Sequence, residues 1–245
     1  MKKLTIIARY NEDISWAKNI ESDIFVYNKG TDWPWDDIPR VDVENYGREA
    51  ETYVRSIIEF YEILDEYSVV CFIQGNPFDH YDFPVESINN CQSHMIQFLA
   101  NSLVSYNYDK LYYYFGKSNL LISKLFDPDF KFQANMSNFI NENKNENFND
   151  VRGHEISTTI LIASLLDLKL YDNGIMYPAG AQYIIPVKYI KNKTLAWWEE
   201  LHKLMLDWRF LAPKDEIAGC CERIWPLIWN HESESTSSKQ DSSIN

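Results

Sequence analysis

Glycine is scarce in this chain, with eight in 245 residues, and none of the eight sits in a Gly-x-Gly-x-x-Gly, Gly-x4-Gly-Lys-Ser/Thr or Gly-x-Ser-x-Gly pattern. The loops that most nucleotide kinases, dehydrogenases and serine hydrolases build their sites on are therefore missing. Cations are also few, 23 Lys and Arg against 36 Asp and Glu, for a formal charge of -13. Phosphate backbones are gripped by clustered Lys and Arg, so that balance argues against a nucleic-acid partner, while a small anionic ligand still needs only one or two local cations. No apolar run reaches the roughly 20 residues that cross a bilayer, and Met1-Lys2-Lys3 leads into a short strand-like run rather than a signal peptide. The expectation is a cytoplasmic protein with no transmembrane segment. Its four cysteines are read as reduced thiols, because Cys220 and Cys221 are adjacent and poorly placed for a zinc cage.

Hydrophobic residues make up 45% of the chain and aromatics 15%, enough for a packed core with rings to spare for a pocket. Leu4 to Ala8 is a strand ending in the polar loop Arg9-Tyr10-Asn11-Glu12-Asp13. Ile24 to Tyr27 is a second, ending in Asn28-Lys29-Gly30. From Ala50 the apolar residues Tyr53, Val54, Ile57, Ile58, Tyr61 and Leu64 recur at helical spacing, with Asn45 and Gly47 at the start and Arg48 in the first turn. Val69 to Ile73 is a third strand, running into Gln74-Gly75-Asn76-Pro77-Phe78-Asp79-His80. Such an alternation predicts an α/β fold with a mainly parallel sheet and right-handed crossovers. Polar groups then collect at the carboxyl ends of the strands, where open α/β sheets bind ligands.

Further along, Asn90 to Val104 and Ser118 to Phe126 are read as helices, and Tyr112 to Phe115 as a strand or core connector. Asn141 to Asp150 is read as a surface loop, Gly180 to Pro186 as a strand, and Thr194 to Trp208 and Cys221 to Trp229 as helices. The polar run after His231 cannot offset its ordering entropy by burial and reads as a disordered tail over residues 231–245.

At Ala8-Arg9-Tyr10-Asn11-Glu12-Asp13, Tyr27-Asn28-Lys29-Gly30, Asn45-Tyr46-Gly47-Arg48-Glu49-Ala50, Phe72 to His80, Gly180-Ala181-Gln182 and Glu222-Arg223-Ile224-Trp225, the chain resembles a widespread family of uncharacterised microbial, fungal and viral proteins. That family is similar to the GT-A class of glycosyltransferases. The resemblance implies one GT-A-like domain over residues 1–230, with a mixed, mainly parallel sheet flanked by helices. It also implies transfer of a sugar from a nucleoside-diphosphate sugar, a UDP-sugar by preference, to a hydroxyl acceptor in glycan or polysaccharide assembly. On that analogy the sugar nucleotide is held by Arg9, Tyr10, Asn11, Glu12, Asn28, Lys29, Arg48, Gln74, Asn76, Gly180 and Gln182. Glu222 would be the base and Asp79 a second catalytic group, while Asp79, His80 and the late His231 would hold a divalent cation, Mn or Mg. The chain departs from the class at one place: the usual Asp-x-Asp after the third strand is Gln74-Gly75-Asn76 here, and hard cations favour carboxylate oxygen.

The residues leave alternatives open. Asp79, His80 and Asp82 would also suit a metal-dependent phosphoester hydrolase, and a sugar-nucleotide fold without turnover would serve as a binding protein. Arg48 is as well explained by a salt bridge with Glu44 or Glu51, and Glu222 by an ion pair anchoring its helix. Trp33 and Trp35, in a Pro-containing loop, are candidates to stack on a ligand, whereas Trp197 and Trp198 read as core. His154 and Glu155 read as capping or surface groups. The oligomeric state is beyond the sequence.

Overall fold

The computed structural model describes residues 1–35, 37–107, 159, 162–163, 165–168, 174–208 and 216–230. Four strands follow the expected parallel logic: β1 (Lys3–Arg9), β2 (Asp23–Asn28), β3 (Arg40–Asp42) and β4 (Val69–Gln74). A 3-10 turn, Ser15–Asn19, lies between β1 and β2, and α1 (Arg48–Phe60) connects β3 to β4. The helix relaxes into a second 3-10 turn, Tyr61–Glu66, so Tyr61 and Leu64 complete the apolar stripe from outside it.

The six-stranded sheet has the order β3-β2-β1-β4-β8-β5. Here β5 is Gln97–Phe98 and β8 is Tyr183–Pro186. The first four strands run parallel, while β8 pairs antiparallel with β4 and β5 antiparallel with β8. The sheet is thus mixed and mostly parallel. A separate antiparallel pair is formed by β6 (Leu103–Asn107) and β7 (Gly174–Pro178).

All seven residues of β1 are buried, the pattern of a central strand covered on both faces. Leu4, Ile6 and Ala8 point into the main core with Tyr53, Val54 and Ile57 of α1. That core continues through Trp198 and Leu201 of a long helix over Leu195–Trp208 and through Trp225 and Trp229 of another over Glu216–Asn230. On the opposite face Ile7 packs with Ile14, Ala17 and Val26, and Ile73 with Ile88 and Leu99. The period-2 alternation of β1 is the direct cause of this division.

The structure corrects one expected element. Asn90 to Val104 is not a helix: a short helix, α2 (Pro84–Asn89), ends before it, and the stretch carries β5 and the start of β6. Its apolar residues Ile96 and Leu99 are spaced well enough for a helix, but pairing of Gln97 and Phe98 with Ile184 and Tyr183 takes them instead. Three further helices are α3 (Val187–Lys191), next after β8, and the two long helices of the core, α4 (Leu195–Trp208) and α5 (Glu216–Asn230). The expectations for Tyr112 to Phe115, Ser118 to Phe126, Asn141 to Asp150, His154, Glu155 and residues 231–245 fall outside the described residues.

Candidate functional site

Strand β1 has β2 on one side and β4 on the other, so the chain leaves it in opposite directions and a crevice opens beyond the carboxyl ends. Register sets the floor of that crevice, because Ala8 stands beside both Tyr27 and Gln74, and Arg9 beside Asn28. Two further backbone bonds extend the ladder past the strands: Lys29 N–H donates to Arg9 O at 2.7 Å and Gly75 N–H to Ala8 O at 2.8 Å. Above them lies a cleft of about 610 Å³, lined by Ala8, Arg9, Tyr10, Glu12, Lys29, Asn45, Arg48, Glu49, Gln74, Gly75, Asn76, Asp79 and His80.

Residues from four separate stretches of sequence therefore meet, and nine of the predicted site residues are among them. Their roles divide sharply. Arg9, predicted for ligand charge, is buried, and its guanidinium donates to Glu12 O, Tyr10 O, Asn28 Oδ1 and Asp32 O while pairing with the Asp32 carboxylate. Lys29 is buried as well, with Nζ donating to Tyr46 O, Arg48 O and Glu51 Oε2. Both cations hold the loops in place and leave their charge with protein acceptors. Asn28 does the same work, joining Arg9, Gly30 and Asp42.

Glu51, which sequence reasoning offered only as a partner for Arg48, is instead the hub of this framework. Burial opposes its ionisation, but hydrogen bonds from His202 and Lys29, with the charges of Lys29 and Arg55, outweigh that and hold it down at about 2. Burial likewise draws Lys29 below its usual value.

The other lining groups come from the end of β4, the turn after it and the start of α1. Gln74 and Asn76, at the end of β4, are half-buried and line it. A 3-10 turn over Pro77–Asp79 then presents Asp79, which is exposed, and His80. Arg48 is exposed at the first position of α1, in a left-handed conformation with φ 46°, directly after Gly47 at φ 59°. Left-handed backbone costs a non-glycine residue about 1–2 kcal/mol, and such strain concentrates at binding and catalytic sites. The same pattern recurs opposite, at Gly180 (φ 97°) and Ala181 (φ 47°). A Cβ at Gly180 would run into the His80 ring, so this glycine sets how closely the β7–β8 turn covers the histidine.

Several predicted residues stand one layer back. Asn11 is exposed, its Oδ1 accepting from Thr31 N–H at 3.0 Å. Gln182 is buried, donating through Nε2 to Pro77 O at 3.0 Å, with Oε1 left without a partner among the described residues. Glu222 on α5 does not line the cleft; its Oε1 accepts the Gly180 N–H at 2.6 Å. Trp33 and Trp35 are half-buried and pack with Arg9 beneath the loops rather than lining the cleft. Trp198 is core, as expected, with Trp197 set edge-on against it.

Asp82 accepts a hydrogen bond from Asn101 Nδ2, and no three His, Cys, Asp or Glu among the described residues are placed to share an ion. His231 lies outside the described residues.

Sequence reasoning missed Glu49, quoted above only within its block. It is the second residue of α1 and lines the cleft. Burial first, and then the charge of Glu222, push its carboxyl up to about 7 against the opposing effects of a hydrogen bond from its own backbone amide and the charges of Arg48 and Lys29. Beneath it, Tyr53, Tyr183, Trp225 and Trp229 form one aromatic cluster with ring centroids 5.1–6.4 Å apart. The polar atoms of all four rings are buried without a hydrogen-bond partner among the described residues. The only signal for Glu49 in the sequence was its position beside Arg48 at a helix start.

The family model for DUF3431, described as a protein of unknown function, matches residues 4–244. The chain belongs to this family. The match takes in every stretch that contributes to the cleft. Neither the curated proteins nor the solved structures give a match. As for membranes, no helix among the described residues is long and apolar enough to cross one, and the four cysteines are free thiols, all buried.

Proposed function

We propose that the chain is a GT-A-like glycosyltransferase that moves a sugar from a nucleoside-diphosphate sugar, a UDP-sugar by preference, to a hydroxyl acceptor. The observation that carries this reading is the polar cleft at the carboxyl ends of β1 and β4, where the strand order reverses direction. Its 610 Å³ lies within the 300–1,000 Å³ of small-ligand sites. Arg48 at the amino terminus of α1 is the group for the diphosphate, by charge-assisted hydrogen bonding at a helix end. Gln74, Asn76 and Asp79 supply amide and carboxylate partners for sugar and ribose hydroxyls. In this reading, charge on the departing diphosphate is stabilised by Arg48 and the helix amides.

Thermal-shift screening against UDP- and GDP-sugars, with and without manganese, tests the reading. Stabilisation by at least one nucleoside-diphosphate sugar, with slow donor breakdown or transfer, is the expected result. Stabilisation with no turnover makes the chain a binding protein, and no response to any nucleotide rejects the assignment.

A further inference from the structure

Transfer to a hydroxyl needs a group to take its proton, and Glu222, the residue the sequence offered, is held by the Gly180 N–H and does not line the cleft. Glu49 does line it. We propose that Glu49 is the base that accepts the acceptor's proton, and that Glu222 is the residue that positions and tunes it; this rests on the transferase reading above.

Three observations carry the assignment. The strained start of α1, Gly47 and Arg48 both left-handed, fixes where the first turn enters the cleft and so sets Arg48 and Glu49 side by side. The reacting diphosphate and the acceptor hydroxyl then face adjacent residues of one rigid helix, a more exact support than a loop. Second, Glu222 sits on α5, anchored on the Gly180 turn that also covers His80, and the α1–α5 contact brings it within electrostatic reach of Glu49. Third, Tyr53 and Tyr183 place fully buried hydroxyls, partnerless among the described residues, within electrostatic reach of Glu49. Burial, reinforced by the nearby carboxylates, pushes both phenols well above their usual range, so they stay protonated.

The titratable groups facing Glu49 are Arg48 and Tyr53 from its own helix, Lys29 from the end of β2, Tyr183 from β8, and Cys221 and Glu222 from α5. Burial and Glu222 raise its affinity for a proton while its own backbone amide, Arg48 and Lys29 lower it, and the balance near 7 suits a general base at neutral pH. In the step, the acceptor oxygen bonds to the anomeric carbon. The bond from that carbon to the diphosphate oxygen breaks with its electron pair leaving on the diphosphate. The hydroxyl proton passes to the Glu49 carboxylate and thence to solvent.

The test uses the full chain and donor hydrolysis, with water standing in for the acceptor. Release of UDP or GDP from a panel of UDP- and GDP-sugars is followed between pH 5.5 and 8.5, with UDP and GDP binding measured by calorimetry. The wild-type rate should rise about tenfold per pH unit and level off near 7. Glu49→Gln should lose that limb and at least about 100-fold in rate, the usual scale of a lost base, while binding UDP or GDP within about threefold of wild type. Glu222→Gln, which keeps the acceptor for Gly180 N–H and removes the charge, should retain the limb and move it to lower pH. A Glu49→Gln variant with wild-type rate and pH profile overturns the assignment, as does one that loses nucleotide binding to the same degree as turnover. A wild-type chain that binds neither nucleotide rejects the transferase reading itself, and the role of Glu49 with it.

Discussion

Glu49 and Glu51 are two residues apart on one helix, yet their environments drive them in opposite directions, to about 7 and about 2. Each has a stability consequence with its own pH window. Glu49 binds its proton more tightly folded than unfolded, so its contribution is complete below about 4.5 and is lost as pH rises toward 7. Wild type should therefore lose up to about 3 kcal/mol between pH 5 and pH 8 through this group, and Glu49→Gln should flatten that part of a urea-denaturation pH profile. Glu51 is the reverse: its contribution is present above about 4.5 and lost as pH falls toward 2. Lys29 is the partner that makes this possible. Removing it as Lys29→Met leaves a buried carboxylate with fewer partners and should cost about 3–5 kcal/mol in equilibrium unfolding, whereas Lys2→Met at the exposed Lys2–Glu66 pair should leave the unfolding midpoint close to that of wild type.

Among the elements, α1 ties stability to binding most closely. Arg48 occupies a left-handed backbone position that glycine would adopt freely. Arg48→Gly should raise stability by up to about 1 kcal/mol while weakening UDP binding at least about tenfold, a division that thermal denaturation and calorimetry on one variant would show. At the facing turn the sign is opposite. Gly180→Ala adds a Cβ against His80 at φ 97°, and should both destabilise the fold and displace the imidazole, visible as a changed His80 chemical shift. These elements were legible to different degrees. Strands β1 and β4 and helix α1 announced themselves, because each has a full run of apolar residues at one period and is punctuated by Asn, Gly or Pro. The stretch from Asn90 to Val104 did not, since β5 is only two residues long and exists through pairing with Ile184 and Tyr183, some ninety positions away. Roles were harder to read than places. Arg9 and Lys29 fall at the cleft as foreseen, but a sequence does not show that Asp32, Tyr46 and Glu51 come close enough to claim their charges. Nor does it show that α5 brings Glu222 against Glu49.

For the molecule as a whole, the parallel order β3-β2-β1-β4 makes the site. It puts the loops after β1, β2 and β4 at one edge, and α1, crossing from β3 to β4, adds its amino terminus to them. The antiparallel β8 and the helix α5 close the same edge through Gly180 and Glu222. The chain carries a formal charge of -13, so on the proposed reading an anionic ligand would be held through the local placement of Arg48 and the helix amides rather than through net charge. The central claim is that this edge binds a nucleoside diphosphate. Titrating the isotope-labelled chain with UDP and following backbone amide shifts tests it most directly. Saturable shifts concentrated at Arg9 to Glu12, Asn45 to Glu49 and Gln74 to His80 are the predicted result; no saturable shifts, or shifts confined to other surfaces, would contradict it.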